Sequence, residues 1–227
     1  LAVKNFQLES TFPVIEPLAG ENTIILPLLN GIESERVLSE RFGEDRIIYA
    51  FISNLSVTRE GNNVSSFSKG KITMGEKDNS RSPRILKLKA FFEENGQDVV
   101  VPDDIHHEKW LKFMTNTCFN TLTALLEADY DATGSNRDMI RAARLIAREV
   151  QSVGERKGVE LTSDDIETMI RNTSLLSGKG RSSMLEDMIN GRETENRYFA
   201  GAVSRMGRQY SIATPYCDLL SILVEAK

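Results

Sequence analysis

Pro102 divides the sequence into two kinds of pattern. Residues 103–227 place apolar side chains at helical spacing in one segment after another and carry almost no strand signal. Helices are expected at about 104–126, 136–157, 163–175, 184–190, 195–209 and 214–226, punctuated by Gly158, Gly191 and Ser177-Gly178-Lys179-Gly180. Such a segment buries its apolar faces helix against helix. Residues 1–102 differ. Thr23-Ile24-Ile25-Leu26, ended by Pro27, and the run 46–52 read as short strands, whereas 32–42 has near-helical spacing at Ile32, Val37, Leu38 and Phe42. Gly61-Asn62-Asn63 separates two β-rich pieces within 57–75, as in a hairpin. A helix is expected at 84–95, stopped by Asn95-Gly96, and a strand at 98–102. Strand, helix and strand in alternation make this part an α/β layer with a hairpin insertion. The chain opens on Leu1, and Ala2-Val3-Lys4-Asn5-Phe6 reads as a strand already under way, so a fragment lacking an N-terminal piece is expected.

Composition removes several function classes. The 33 acidic and 28 basic residues give a formal charge of −5, a mixed-sign surface unlike the basic footprint of a nucleic-acid binder. No apolar stretch approaches the length of a membrane span, and no signal peptide opens the chain, so neither a nucleic acid nor a membrane is an expected partner. Cys118 and Cys217 alone make no disulfide framework, and a cytoplasmic location is the default. His106-His107-Glu108 is a poor metal site, because adjacent histidines leave a helix on different faces and no third histidine exists.

The most informative segment is the helix around Lys112. At about 100° per residue, Lys112, Asn116, Asn120 and Thr123 fall at about 0°, 40°, 80° and 20°. Four polar groups therefore share one arc, while Leu111, Met114, Cys118, Phe119, Leu122, Leu125 and Leu126 cover much of the rest. One reading is a partly exposed helix with a wet face. The other is a buried helix whose stripe lines a site, since an unpaired buried ammonium or amide is costly. Asparagine is a mediocre helix former, and two of them at i and i+4 favour the second reading. A lysine there can donate a proton or hold charge developing on a carbonyl oxygen.

On these residues the sequence resembles the ketopantoate reductase (2-dehydropantoate 2-reductase) family. The family's Lys-x-x-x-Asn-x-x-x-Asn-x-x-Thr-Ala string runs here from Lys112 through Asn116, Asn120 and Thr123 to Ala124. A serine doublet followed by Met-Leu-x-Asp and then Thr-Glu matches Ser182-Ser183-Met184-Leu185-Glu186-Asp187 with Thr194-Glu195, and an Asn-Gly after a strand matches Asn30-Gly31. The resemblance implies an α/β fold. A partial Rossmann-type NADP-binding domain (1–102, its first βαβ segment missing) would precede an all-α domain (103–227) of the 6-phosphogluconate dehydrogenase C-terminal-like kind, with the active site in the cleft between them. It implies NADPH as cofactor, a small 2-keto acid as substrate, and reduction of ketopantoate to pantoate on the way to pantothenate; a homodimer is compatible with it. Lys112 would be the general acid. Asn116 and Asn120 would bind the substrate's polar groups, Ser183 its carboxylate, and Asn30 both substrate and cofactor. Glu195 would hold hydroxyls of either, and Lys4 and Ser56 would approach the cofactor. Two departures stand out. The family's opening G-x-G-x-x-G is absent, so this chain by itself is expected to be inactive, and a further substrate asparagine downstream on the lysine helix aligns with Tyr130.

Plainer readings accompany these roles. Ser183-Met184-Leu185-Glu186 has the form of a capping box, Asn30-Gly31 is a turn signal, and Glu195 suits the first turn of a helix. Cys118 reads as a small core hydrophobe. Two alternatives to the reductase remain: a related NAD(P)-dependent hydroxyacid dehydrogenase, and a non-catalytic helical binding or dimerisation module.

Overall fold

The computed structural model describes residues 1–55, 57–66, 68–176, 178 and 180–227, with the backbone alone of 57–60. The chain forms two compact units, Leu1–Lys109 and Trp110–Lys227.

In the first unit, β1 (Tyr49–Ser53) pairs antiparallel with β4 (Lys71–Gly75), and β4 pairs parallel with β5 (Asp98–Val100). The register sets Phe51 opposite Thr73 and Ile72 opposite Val99. Between β1 and β4 the hairpin β2 (Val57–Glu60) and β3 (Asn63–Ser66) turns at Gly61-Asn62, as its residues foretell. The crossover from β4 to β5 is α3 (Pro83–Glu94), whose N-cap Ser82 accepts a hydrogen bond from Ile85 N at 3.2 Å. Ile85, Leu88 and Phe92 of α3 pack on Ile48, Ala50, Ile72, Met74 and Val99 of the sheet side. A second cluster joins Leu38 and Phe42 of α2 (Ser34–Phe42) to Leu8, Ile25, Leu29 and Ile47.

The opening residues do not form the expected strand. Short 3₁₀ turns occupy Asn5–Gln7, Glu9–Thr11 and Glu16–Leu18, with one helical turn, α1 (Phe12–Ile15), among them. Leu1 alone keeps an edge-like pairing, donating to Leu26 O at 2.9 Å and accepting from Leu28 N at 2.8 Å. The cause is local. Ser10 and Thr11 hydroxyls bond Gln7 and Leu8 carbonyls at 2.6 Å, and Pro13 and Pro17 sit early in helical turns, where a missing N–H costs nothing. Residues 23–26 likewise contribute only a single parallel bridge, Ile25 to Ile47, because Pro27 offers no donor to extend it. The expected strand 46–52 starts late, at Tyr49, after a 3₁₀ turn at Glu44–Arg46.

α4 (Ile105–Thr115) crosses the division between the units, which falls at Lys109/Trp110. Near its start, Lys109 pairs with Glu35 of α2, both almost fully buried, and donates to Ala50 O at 3.0 Å; Ser34 Oγ donates to Glu35 at 3.0 Å. Buried charges of this kind persist only when paired and hydrogen-bonded.

The second unit is helical. The expected helix 104–126 is one path in three parts: α4, a π-turn at Asn116–Asn120, and α5 (Thr121–Leu126), stopped by Glu127 in the left-handed region at φ 50°. A short α6 (Tyr130–Ser135) follows, which periodicity does not reveal. Next come α7 (Arg137–Arg156), capped by Asn136, and α8 (Ser163–Ser174), capped by Thr162 with Asp165. α9 (Ser183–Ile189), a 3₁₀ turn at Asn196–Tyr198, α10 (Ala200–Tyr210) and α11 (Pro215–Glu225) complete the unit. α7 is its axis: Ala143, Ile146, Ala147, Val150 and Val153 are all buried, and it packs on the π-turn, α8, α10 and α11. Glu149 of α7 reaches the start of α11, accepting from Tyr216 N at 2.9 Å and Cys217 N at 2.8 Å, while Thr214 supplies no side-chain cap of its own. Among the described residues, no helix is long and apolar enough to cross a membrane.

Candidate active site

The candidate residues fall in both units. In the first, Lys4 lies at the head of the 3₁₀ turn Asn5–Gln7, correcting its placement in a strand; its backbone N–H donates to Gln7 Oε1 at 3.2 Å. Asn30 sits in a bend closed by Gly31, whose φ of 83° belongs to the left-handed region that glycine enters without strain. The adjoining Asn5, 6% exposed, donates from Nδ2 to Asn30 O at 2.9 Å. Asn5 thereby ties the Lys4 turn to the Asn30-Gly31 bend. Sequence reasoning passed over it, although an asparagine beside a candidate lysine was the available signal. Ser56 lies outside the described residues.

In the second unit, Lys112 occupies the last full turn of α4 and is partly buried. Asn116 and Asn120 are the first and last residues of the π-turn, and Asn120 Nδ2 donates to Asn116 Oδ1 at 3.3 Å. This corrects the uniform rotation of about 100° per residue assumed from sequence. A π-turn closes i to i+5, so each residue advances less about the axis, and Asn120 falls back toward Lys112 instead of drifting further round. Such turns often mark functional sites. On the opposite side Cys118 is buried, with Sγ 3.4 Å from Ala143 O, and burial pushes its thiol pKa well up, in keeping with a core role.

The stripe's last member, Thr123, reaches a second element. Its hydroxyl lies 2.6 Å from Phe119 O, 3.2 Å from Asn120 O and 2.8 Å from Ser182 Oγ. Ser182, not Ser183, caps α9, accepting from Leu185 N at 3.2 Å. The capping-box reading was therefore one residue out of register: Ser182 is 1% exposed, whereas Ser183 is the exposed first residue of the helix. The structure thus brings Asn116, Asn120, Thr123 and the Ser182-Ser183 helix start into one hydrogen-bonded neighbourhood.

Glu195 is 3% exposed and precedes the 3₁₀ turn, its carbonyl accepting from Tyr198 N at 2.8 Å. The expected helix 195–209 begins only at Ala200, after Phe199 leaves helical geometry, so Glu195 is not a first-turn acid of α10. Tyr130 is not on the lysine helix, which ends at Leu126; it opens α6 and takes a backbone bond to Gly180 O at 2.9 Å. A Cβ at Gly180 would lie 2.8 Å from the Tyr130 ring, so glycine there lets the backbone at this position approach the ring closely. Burial raises the Tyr130 pKa. His106 contacts Lys77 O through Nε2 at 2.7 Å and packs edge-on against Tyr49. Among the described residues, no cluster of three or more His, Cys, Asp or Glu is arranged to hold a metal.

Residues 1–79 match the family model described as ketopantoate reductase PanE/ApbA, and residues 104–227 match ketopantoate reductase PanE/ApbA C terminal. The chain belongs to the ketopantoate reductase family. Among members of this reductase family, the 2-dehydropantoate 2-reductase of Lactococcus lactis subsp. lactis (strain IL1403) is 30% identical over 235 aligned residues, which cover 100% of this chain and 74% of the relative. A solved 2-dehydropantoate 2-reductase of Geobacter metallireducens GS-15 superposes at TM-score 0.90 with 29% identity, covering 99% of this chain and 75% of the other. D-mandelate dehydrogenase, solved with NADH and anilino(oxo)acetate, superposes at 0.91 with 29% identity, covering 100% of this chain and 74% of that one. The Rossmann-type fold class expected from the ketopantoate reductase resemblance is thereby established.

Proposed function

We propose that the protein reduces 2-dehydropantoate to pantoate with NADPH. The observation that carries this reading is the second-unit neighbourhood in which the Lys112 helix passes through the Asn116–Asn120 π-turn and meets the Ser182-Ser183 helix start through Thr123. Lys112 donates a proton from Nζ to the oxygen of the reacting carbonyl as negative charge develops there. Asn116 and Asn120 present amides to the substrate's oxygens. Ser183, the exposed first residue of α9, suits the carboxylate of a 2-keto acid through its hydroxyl. In the first unit, the side chains of Lys4 and Asn30 offer a cation and an amide, a donor set that fits a phosphorylated dinucleotide; the Asn5 bond to Asn30 O holds the bend between them ready. Glu195 would hold hydroxyls of substrate or cofactor. When bound, NADPH supplies the hydride.

Steady-state reduction of ketopantoate by the intact protein, with and without Lys112→Ala, tests the reading. The turnover number is expected to fall by about 10²–10⁴-fold. A variant within a few-fold of wild type would remove Lys112 from the role.

One observation favours a second reading. Tyr130, half-buried against Gly180, stands where the family resemblance puts a polar substrate residue, which suits a 2-keto acid with an apolar side chain. Comparing kcat/KM for ketopantoate, phenylglyoxylate and branched 2-keto acids, each with NADPH and NADH, separates the two. A ketopantoate value about tenfold or more below another acid, some 1.4 kcal/mol of transition-state binding, would replace the first reading with a related hydroxyacid dehydrogenase.

A further inference from the structure

Two hydroxyls and two carbonyls form a buried line between the π-turn and α9. Thr123 has one hydroxyl hydrogen and two acceptors from its own helix within reach, Phe119 O at 2.6 Å and Asn120 O at 3.2 Å. Its hydrogen is committed there, so the 2.8 Å contact with Ser182 must be a hydrogen bond that Ser182 donates. Ser182 in turn uses a lone pair to accept from Leu185 N at 3.2 Å. Each hydroxyl therefore donates once and accepts once, with no rotational freedom left over. Thr123 and Ser182 are each 1% exposed, so water cannot substitute for either partner. At one end of the line stand the carbonyls of Phe119 and Asn120, the last two residues of the π-turn; at the other stands the Leu185 N–H in the first turn of α9.

We propose that Thr123 and Ser182 are positioning residues that lock the start of α9, and with it Ser183, in register with Asn116 and Asn120. This deepens the reductase reading and rests on it. Ser183 can hold a carboxylate only where its hydroxyl faces it, and the amides of Asn116 and Asn120 must meet the same ligand. The Thr123–Ser182 bond fixes the distance between those two sets of donors. Thr123 is sterically interchangeable with valine, which isolates the hydroxyl as the cause.

The experiment compares Thr123→Val, Thr123→Ser, Ser182→Ala, Ser183→Ala and the double variant Thr123→Val/Ser183→Ala in the intact protein, with NADPH affinity and thermal midpoint measured alongside. Thr123→Val is expected to raise KM for the keto acid about tenfold or more while NADPH affinity changes by less than about twofold. Thr123→Ser, which keeps the hydroxyl, is expected to restore KM to within about threefold of wild type. Thr123→Val and Ser183→Ala are expected to be non-additive, because both spoil the same contact. A Thr123→Val KM within about twofold of wild type, a serine variant as impaired as the valine one, or multiplicative effects in the double variant would each overturn the proposal. Should Thr123→Val not fold, Thr123→Ser and Ser182→Ala decide: the first near wild type with the second raised in KM supports the register lock, and any other pattern removes it. The reductase reading fails separately, on Lys112→Ala retaining activity.

Discussion

Asn116 and Asn120 are bonded to each other through their amides, so the orientation of each is set by the other. Replacing either with alanine is expected to weaken keto-acid binding by about 1–3 kcal/mol, with NADPH affinity nearly unchanged, which calorimetric titration of the two ligands would check. A parallel loss of both would assign the stripe another purpose. Asn5 makes the complementary case in the first unit. Its buried amide holds Asn30 O, so Asn5→Leu should remove that bond, cost about 1–3 kcal/mol in denaturant unfolding, and loosen the Asn30-Gly31 bend. Hydrogen exchange at the Gly31 amide would report the loosening directly. Both predictions come from side-chain amides whose partners lie four or twenty-five positions away, a relation that spacing shows in the first case and hides in the second.

Elements in this protein are often finished by side chains from elsewhere. Glu76, just after β4, accepts from Arg84 Nε at 2.7 Å and from Ser82 Oγ, the cap of α3, and the Arg84 bond holds its carboxyl below the usual range against the opposing effect of burial. A depressed carboxylate contributes stability that is present above its unfolded pKa, about 4.3, and is lost as pH falls through the lower folded value. Urea midpoints should therefore drop between about pH 4 and pH 2, and Glu76→Gln should flatten that part of the profile while lowering stability at neutral pH by about 2 kcal/mol. Glu149→Ala should cost about 1–3 kcal/mol by leaving the Tyr216 and Cys217 N–H groups without their partner, a loss visible as faster exchange confined first to the start of α11. These finishing contacts also mark what the sequence shows and what it conceals. The cores of α7, α8 and α11 were readable because their apolar residues recur at 3.6 and their ends carry Asn136, Thr162-Asp165 and Pro215. The π-turn was not, since polar residues at i, i+4 and i+8 look alike whether the path between them is α or π. α6 is too short to have a period, and the opening strand gives way to the 3₁₀ and helical turns over 5–18, which the Ser10 and Thr11 hydroxyls reinforce by bonding back to Gln7 O and Leu8 O. At the site, Lys112, Asn116, Asn120 and Thr123 could be grouped from spacing alone. The partnership of Thr123 with Ser182 needed tertiary structure.

On the scale of the molecule, the most deeply buried ion pair among the described residues is Lys109 with Glu35, almost wholly removed from water. Lys109→Met alone should cost about 3–5 kcal/mol by stranding the Glu35 carboxylate, and Glu35→Leu added to it should recover most of the loss, as a thermal-unfolding cycle would show. A cycle without recovery would mean that the charges contribute specific stability beyond mutual neutralisation. A second whole-chain prediction concerns the cofactor. No G-x-G-x-x-G string to cradle a pyrophosphate occurs in these 227 residues, so by themselves they should bind NADPH weakly, as calorimetric titration would show. Tight binding would place the dinucleotide elsewhere than the first unit. The passage of α4 across the unit division also fixes where the chain can be cut for recombination with relatives. An exchange at Lys109/Trp110 would graft a helix that starts in mid-turn, stripped of Asp104, whose carboxylate receives His106 N and His107 N at 2.9 and 3.1 Å. An exchange at Pro102 keeps that cap on the donated piece but hands the recipient a lysine whose acid partner stayed behind. Chimaeras should therefore tolerate the earlier junction only when the incoming Lys109 meets a carboxylate at the position of Glu35, a compatibility rule that links two sites 74 residues apart in any library built from this family.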